Sequence, residues 1–297
     1  MSASASTAPP RRGGLARLVG LFRLVHPFPS TLDAVAAATI ALIAGAETSV
    51  AVRLALGMLG LQFAIGAAND LADAPRDRVS RPDKPIPAGL VNPRHAAAVL
   101  VVASSAGLCA AGSVGVAAFA VGVLGLADGL IYDIRLKGTA ASWVPFALGV
   151  GLLPVYAWLG VAGTLPPAFW GIVPLAFVAG TTLALANALA DLERDLLAGA
   201  ASVATALGRG RALVGSAFTL GLLQLAVVTS SVVVGPLPAS LAAELAGAAL
   251  GWLGLRSAAS PNERARRLGW EVQAVGVVVM GAGWLATLGS AGLLVTG

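Results

Sequence analysis

Two short polar stretches interrupt otherwise apolar sequence: Asn69–Asp77, read NDLADAPRD, and Asn187–Asp195, read NALADLERD. Both repeat one spacing, Asn-x3-Asp-x3-Asp, through Asn69, Asp73 and Asp77 in the first and Asn187, Asp191 and Asp195 in the second. Helical residues four apart share a face, so each stretch aims its oxygen-bearing side chains one way. Carboxylates at a membrane edge are costly unless compensated, and are functional there by default. Two such faces brought together make a site for hard cations such as Mg2+, which take carboxylate and carbonyl oxygens and bridge to phosphate. Asp70 lies on an adjoining face. Pro75 has no N–H to give, so the helix must kink or end nearby, which makes Asp77 the weakest candidate of its three. The competing reading is a solvated helix end with Arg76 and Arg78 as partners; the second stretch argues against it.

Basic residues accompany the acids. The segment RVSRPDKPIPAG after Asp77 carries Arg78, Arg81 and Lys84, and cations beside a carboxylate–metal cluster suit a polyanionic substrate such as a diphosphate. Arg94 and the Arg264–Arg267 cluster read instead as topology signals or contacts with anionic lipid. Tyr132 and Lys137, in YDIRLKG, place a phenol and an ammonium at the same end of the chain's spans. Asp128, one turn before Tyr132, either steadies a cation or is a satisfied structural acid; Asp33, Glu244 and Glu271 pose the same alternative. His26 and His95 flank helix starts and are not read as ligands. Phosphate-binding loops, serine-nucleophile elbows, zinc-protease motifs and dinucleotide fingerprints are absent from the sequence.

The elements that must position these groups are membrane helices. Of 297 residues, 57% are hydrophobic and 11% charged, whereas a soluble domain carries roughly 25% charged residues. Apolar runs near residues 30–46, 51–68, 95–112, 114–132, 141–160, 167–189, 211–233, 238–255 and 271–294 read as nine spans. With the N-terminus cytoplasmic, every Lys and Arg except Arg53 falls on the cytoplasmic side, and a wrong parity would scramble that partition. Both Asp-rich stretches then lie at cytoplasmic helix ends. The expected architecture is all-α, one polytopic bundle around a central cavity over residues 15–297, preceded by a disordered tail at 1–14 that is not a secretory signal. Arg17–Leu24 reads as a short interfacial helix. Cys109 is the single cysteine and is expected to be a buried small side chain. Nothing supports nucleic-acid binding.

These residues resemble the UbiA superfamily of intramembrane prenyltransferases. NDLADAPRDRVSRPDKPIPAG looks like that family's first Asp-rich motif with its following Arg-Pro-x-Pro-x-x-Gly segment, NALADLERDLLAGAASVATALG like its second, and YDIRLKG like its Tyr/Lys element. The resemblance implies a Mg2+-dependent enzyme of the cell inner membrane. Its active site faces the cytoplasm, and it moves a prenyl group from a prenyl diphosphate to a lipophilic aromatic or quinone-precursor acceptor through an allylic carbocation. It places metal binding on Asn69, Asp73, Asp77, Asn187, Asp191 and Asp195. Diphosphate binding falls to Arg78, Arg81, Lys84 and Lys137, and catalysis to Asp73, Asp191, Lys137 and Tyr132. No obligatory protein partner is implied; membrane lipid is.

The chain departs from the family pattern at Pro75, at Lys84 where Arg is usual, at Leu196 where Arg is common, and at Ala200-Ala201-Ser202. Carbocation stabilisation by rings would rest on a few of Trp143, Tyr156, Trp158, Trp170 and Phe177. A terpene cyclase of the same superfamily shares every motif residue and differs only in capturing the cation with the chain's own double bonds. A transporter using the acids as a cation or proton path is the alternative from another class.

Overall fold

Among the described residues, 13–295 of the computed structural model, every regular element is helical. The order begins α1 (Gly14–Leu24), α2 (Pro27–Ile43), α3 (Thr48–Ser80), α4 (Pro93–Gly112) and α5 (Val116–Ile131). A wide π turn, Tyr132–Leu136, follows α5. Then come α6 (Trp143–Ala162), α7 (Phe169–Ala190), the short α8 (Leu192–Leu197) and α9 (Val203–Leu207), and α10 (Arg209–Val234), α11 (Pro238–Ala258) and α12 (Glu263–Ser290). Residues 1–12 of the expected tail lie outside the described residues, and α1 already begins at Gly14.

Among the described residues, eight helices are long and apolar enough to cross a membrane: α3, α4, α5 extended through Leu136, α6, α7, α10, α11 and α12. Where the sequence places the first of nine spans, α2 is 17 residues long and falls short of that length. It ends at Ile43, and Gly45 at φ +86° then turns the chain toward α3. The chain is therefore an integral, multi-pass membrane protein.

Sequence signals set the helix limits. Pro27, Pro93 and Pro238 open α2, α4 and α11, where a missing N–H costs nothing. Asn92 caps α4 through Arg94 N, and Asn262 caps α12 through Arg264 N and Ala265 N. Helix α3, at 33 residues, is about 50 Å long, so its last turns project past a hydrocarbon core of about 30 Å. That projection carries the first polar stretch to the membrane boundary.

Helices α2, α3, α5, α6, α7 and α12 line a central cavity; α4, α10 and α11 stand outside it against α3, α7 and α12. The α11–α12 pair is the tightest because glycines meet glycines. A Cβ on Gly276 would lie 2.7 Å from Gly247 O, and one on Gly254 would lie 2.4 Å from Gly269 O. Small residues let backbones approach closely in lipid. Gly276→Ala is expected to cost about 1–3 kcal/mol by forcing this pair apart, read as a lower unfolding temperature in detergent.

One sequence expectation changes. Cys109 is exposed on the outer face of α4, not buried, because an apolar side chain in a spanning helix has lipid to face as well as protein. The outer helix α1 leaves Leu15, Leu18 and Phe22 exposed, the apolar face expected of a helix lying at the membrane surface.

Candidate active site

The first polar stretch stays helical throughout. Helix α3 runs past Pro75 to Ser80, so the kink or end expected at Pro75 does not remove Asp77 from its face. Asn69, Asp73 and Asp77 are all buried and all line the cavity. The second stretch behaves otherwise. Helix α7 stops at Ala190, Asp191 sits in the break, and α8 starts at Leu192. Asp191 N still donates to Asn187 O and Asp195 N to Asp191 O, so the three side chains remain neighbours around the break. Asn187, Asp191 and Asp195 line the same cavity, whose volume is about 570 Å3.

Cations hold these carboxylates. Asp73 receives Arg76 Nη2 at 2.6 Å on Oδ1 and Lys137 Nζ at 2.5 Å on Oδ2. Lys84 Nζ lies 2.9 Å from Asp70 Oδ1 and 2.8 Å from Asp77 Oδ2; charge rather than well-directed hydrogen bonding keeps it there. Arg81 Nη2 reaches Asp191 Oδ2 at 2.7 Å, and Arg194 approaches Asp191 Oδ1 at 3.6 Å. Arg81 thus joins the loop after the first stretch to the second stretch.

Burial alone would push the Lys84 ammonium down, but Asp70 and Asp77 outweigh it and hold its pKa above the ordinary 10.5. Burial likewise opposes the charge on Asp191, and Arg81, Arg194 and Arg267 overcome it, leaving that carboxyl below 3.8. Asp195 differs. Burial raises its pKa above 3.8, Ser202 partly offsets the rise, and the Asp191 charge adds to it. A carboxyl raised on folding binds more protons folded than unfolded, so its stability contribution falls as pH rises from 3.8 through the raised value. In chelator, Asp195→Asn is therefore expected to unfold at a higher temperature than wild type above that window and at the same temperature below pH 3.8. Unfolding curves across pH in detergent check it.

Of the residues singled out from the sequence, Arg81, Lys84, Tyr132 and Lys137 line the cavity with the two polar stretches. Arg78 does not: it is exposed and outside the lining, while Arg76 and Arg194 take places within it. Sequence reasoning also missed Asp133, which is 6% exposed and whose Oδ1 accepts from Asn69 Nδ2 at 2.6 Å. The signal was its place inside YDIRLKG. His26, passed over as a ligand, holds Asp70 Oδ1 at 3.1 Å from a left-handed backbone position, φ 48°. Such strain in a non-glycine residue gathers at functional sites.

Asp33, Asp128 and Glu271 line the cavity without an ion pair among the described residues, whereas Glu244 is buried elsewhere, accepting from Ser231 and Thr287 hydroxyls. The Arg264–Arg267 cluster is more than a topology signal. Arg266 is 1% exposed and donates to Leu189 O at 3.1 Å, to Pro261 O at 2.9 Å and to the Glu193 carboxylate. Arg209 shares Glu193 with it.

Away from the charged mouth the cavity is lined by Met58, Leu61, Ile65, Val121, Val150, Leu152 and Leu153. Among the rings expected to face a cation, Tyr156 lines it; Trp143 packs edge-on with Phe177, Trp158 tilts against Phe169, and Trp170 is exposed. Phe28, Phe146 and Trp270 line it instead.

The donor set suits a hard dication. It consists of carboxylate and amide oxygens, and among them Asp77 Oδ2 is buried without a hydrogen-bond partner. Among the described residues, no three His, Cys, Asp or Glu side chains converge closely enough to hold a metal by themselves.

A charged mouth over an apolar chamber within a membrane bundle defines an enzyme that handles a ligand with one anionic end and one greasy end. The UbiA prenyltransferase family model matches residues 32–272, and the chain belongs to that family of prenyltransferases. Digeranylgeranylglyceryl phosphate synthase of Methanopyrus kandleri is 31% identical over 212 residues, covering 67% of this chain and 74% of that protein. The enzyme of the same name from Halobacterium salinarum is 32% identical over 197 residues, covering 61% and 70%. A UbiA homologue from Archaeoglobus fulgidus, solved bound to GPP and Mg2+, superposes with a TM-score of 0.70 at 17% identity, covering 89% of this chain and 99% of its own.

Proposed function

We propose that this prenyltransferase takes a prenyl diphosphate as donor, held at the cavity mouth through Mg2+, and passes its prenyl group to a lipophilic acceptor. One observation carries the reading: two Asn/Asp stretches and five cations, Arg76, Arg81, Lys84, Lys137 and Arg194, meet at the mouth of a cavity whose chamber is mostly apolar. Asn69, Asp73, Asp77, Asn187, Asp191 and Asp195 would hold the metal. When bound, Mg2+ neutralises negative charge that develops on the departing diphosphate.

The chain's own residues do the rest. Arg81, Lys84 and Lys137, with Arg76 and Arg194, turn from carboxylates toward the diphosphate oxygens. The donor's C1–O bond breaks, and its electron pair leaves with the diphosphate. The allylic cation stays in the apolar chamber, where exclusion of water favours the acceptor over hydrolysis. The Tyr132 phenol, between Lys137 and the chamber, orients the leaving group. A new bond forms from the acceptor's electron pair to the prenyl C1, and the acceptor loses a proton. The Lys/Arg bias, which leaves only Arg53 at the far end among the described residues, supports a mouth that opens to the cytoplasm.

The resemblance in the motifs favours an aromatic or quinone-precursor acceptor. The names of the relatives favour a second class, a prenylated glyceryl phosphate bearing a free hydroxyl. Purified protein in detergent with Mg2+ and prenyl diphosphates of several lengths tests both, following diphosphate release and products with each acceptor class and with none. Release dependent on one class identifies the acceptor. Release with no acceptor, yielding a hydrocarbon or terpene alcohol, would replace the transferase reading with a cyclase. Absence of Mg2+-dependent release from every donor would overturn the donor assignment.

A further inference from the structure

Asp133 belongs to neither Asn/Asp stretch, yet it touches the first residue of one of them across 64 positions of sequence. We infer that Asp133 is a positioning residue of the metal centre, turning the amide oxygen of Asn69 toward the cavity. The inference rests on the metal-dependent reading above.

The argument is one of atom types. An ionised carboxylate only accepts, so the atom of Asn69 that meets Asp133 is its amide nitrogen, at 2.6 Å from Oδ1. An amide whose nitrogen is committed on one side presents its oxygen on the other. Mg2+ takes oxygen and not an N–H group, so the opposite rotamer would place two donors where a ligand is needed. An unanchored asparagine has little to choose between the two.

Burial makes the anchor effective. Asn69 is 9% and Asp133 is 6% exposed, and hydrogen bonds to a charged group in such surroundings are stronger than at a surface. The π turn fixes Asp133 in turn. Lys137 N donates to Tyr132 O at 2.7 Å, five residues back, and the widened turn lets Tyr132, Asp133 and Lys137 all line the cavity. π turns inside helical segments occur frequently at functional sites.

Mn2+ serves as the probe, titrated into full-length protein in detergent with inorganic diphosphate present, and free Mn2+ is read by electron paramagnetic resonance. Partners that orient metal ligands typically contribute 10- to 100-fold to metal affinity, so Asp133→Ala should weaken Mn2+ binding by about that factor. Asp133→Asn keeps an oxygen that accepts from Asn69 and should stay within about tenfold of wild type. The exchanged pair N69D/D133N reverses donor and acceptor, leaves one carboxylate oxygen for the metal, and should bind Mn2+ better than D133A. Wild-type affinity in D133A would overturn the inference. So would a loss in D133N equal to that in D133A, which is the mark of a purely electrostatic role. Should D133A fail to fold by its unfolding curve, the exchanged pair decides alone: retained binding supports the inference and lost binding overturns it. Wild-type protein that takes up no Mn2+ would instead overturn the metal-dependent reading itself.

Discussion

Asp73→Ala is expected to lower turnover roughly 100- to 1000-fold or more, the scale for losing one group that stabilises developing charge in a buried site. Asp73 stands at the centre of the mouth, with Arg76 and Lys137 on its two oxygens and Lys84 Nζ 4.0 Å away. Its loss does two things. On the proposed reading it takes an oxygen ligand from the first stretch, and it leaves the neighbouring cations without the anion that spaces them. Those cations remain able to bind diphosphate, so donor affinity without metal should fall much less than turnover. Diphosphate release and donor binding measured on the same preparation separate the two. Turnover within about tenfold of wild type would remove Asp73 from the metal site.

The second large effect lies away from the reacting atoms. Arg266→Ala is expected to destabilise the protein by about 2–5 kcal/mol, the range for emptying the space of a large buried side chain, here with the carbonyls it serves left unpaired. Arg266 is the largest fully buried side chain among the described residues, and its guanidinium fork satisfies Leu189 O, Ser260 O, Pro261 O and Glu193 together. Those partners lie on both sides of the α7–α8 break that holds Asp191. Arg209 Nη1 lies 3.4 Å from Glu193, and Arg194 joins Asp191 to Glu263 at the start of α12. One network therefore ties the second stretch to the α11–α12 turn. Loss of Arg266 should lower the unfolding temperature and also raise KM for the donor. Arg266→Lys keeps the charge but not the fork, so it should recover part of the stability and less of the KM. An unchanged unfolding temperature in Arg266→Ala would contradict the network.

Much of the mouth is legible along the chain. Asn69, Asp73 and Asp77 are set by helical spacing, and the helix needed for that spacing forms because apolar residues 51–68 must shield their own backbone in lipid. Arg81 and Lys84 follow directly on that helix. What went astray turns on where a helix ends. A helix allowed to kink or end near Pro75 left Arg78 grouped with Arg81 and Lys84 in the basic segment that follows Asp77. With α3 continuing to Ser80, Arg76 falls three positions from Asp73, on the same face. Arg78 falls five positions away, roughly 140° around the axis, and points outward. Pro75 is tolerated because it too sits on the exposed side of the helix. The break at Asp191 carries no proline or glycine to announce it.

By itself the sequence determined the membrane class, the helical architecture, the position of both Asn/Asp stretches and the charge bias between the two ends. Each of these depends on a local period or on composition, which burial in lipid converts directly into structure. Tertiary structure alone decided which donor meets which acid: Arg81 with Asp191, Lys137 with Asp73, Arg266 with Glu193, Asn69 with Asp133. These partners are separated by 64 to 110 residues, as 133 − 69 and 191 − 81 show. No local periodicity encodes such pairings, because they exist only once six helices close around one cavity and bring buried charges against partners distant in sequence.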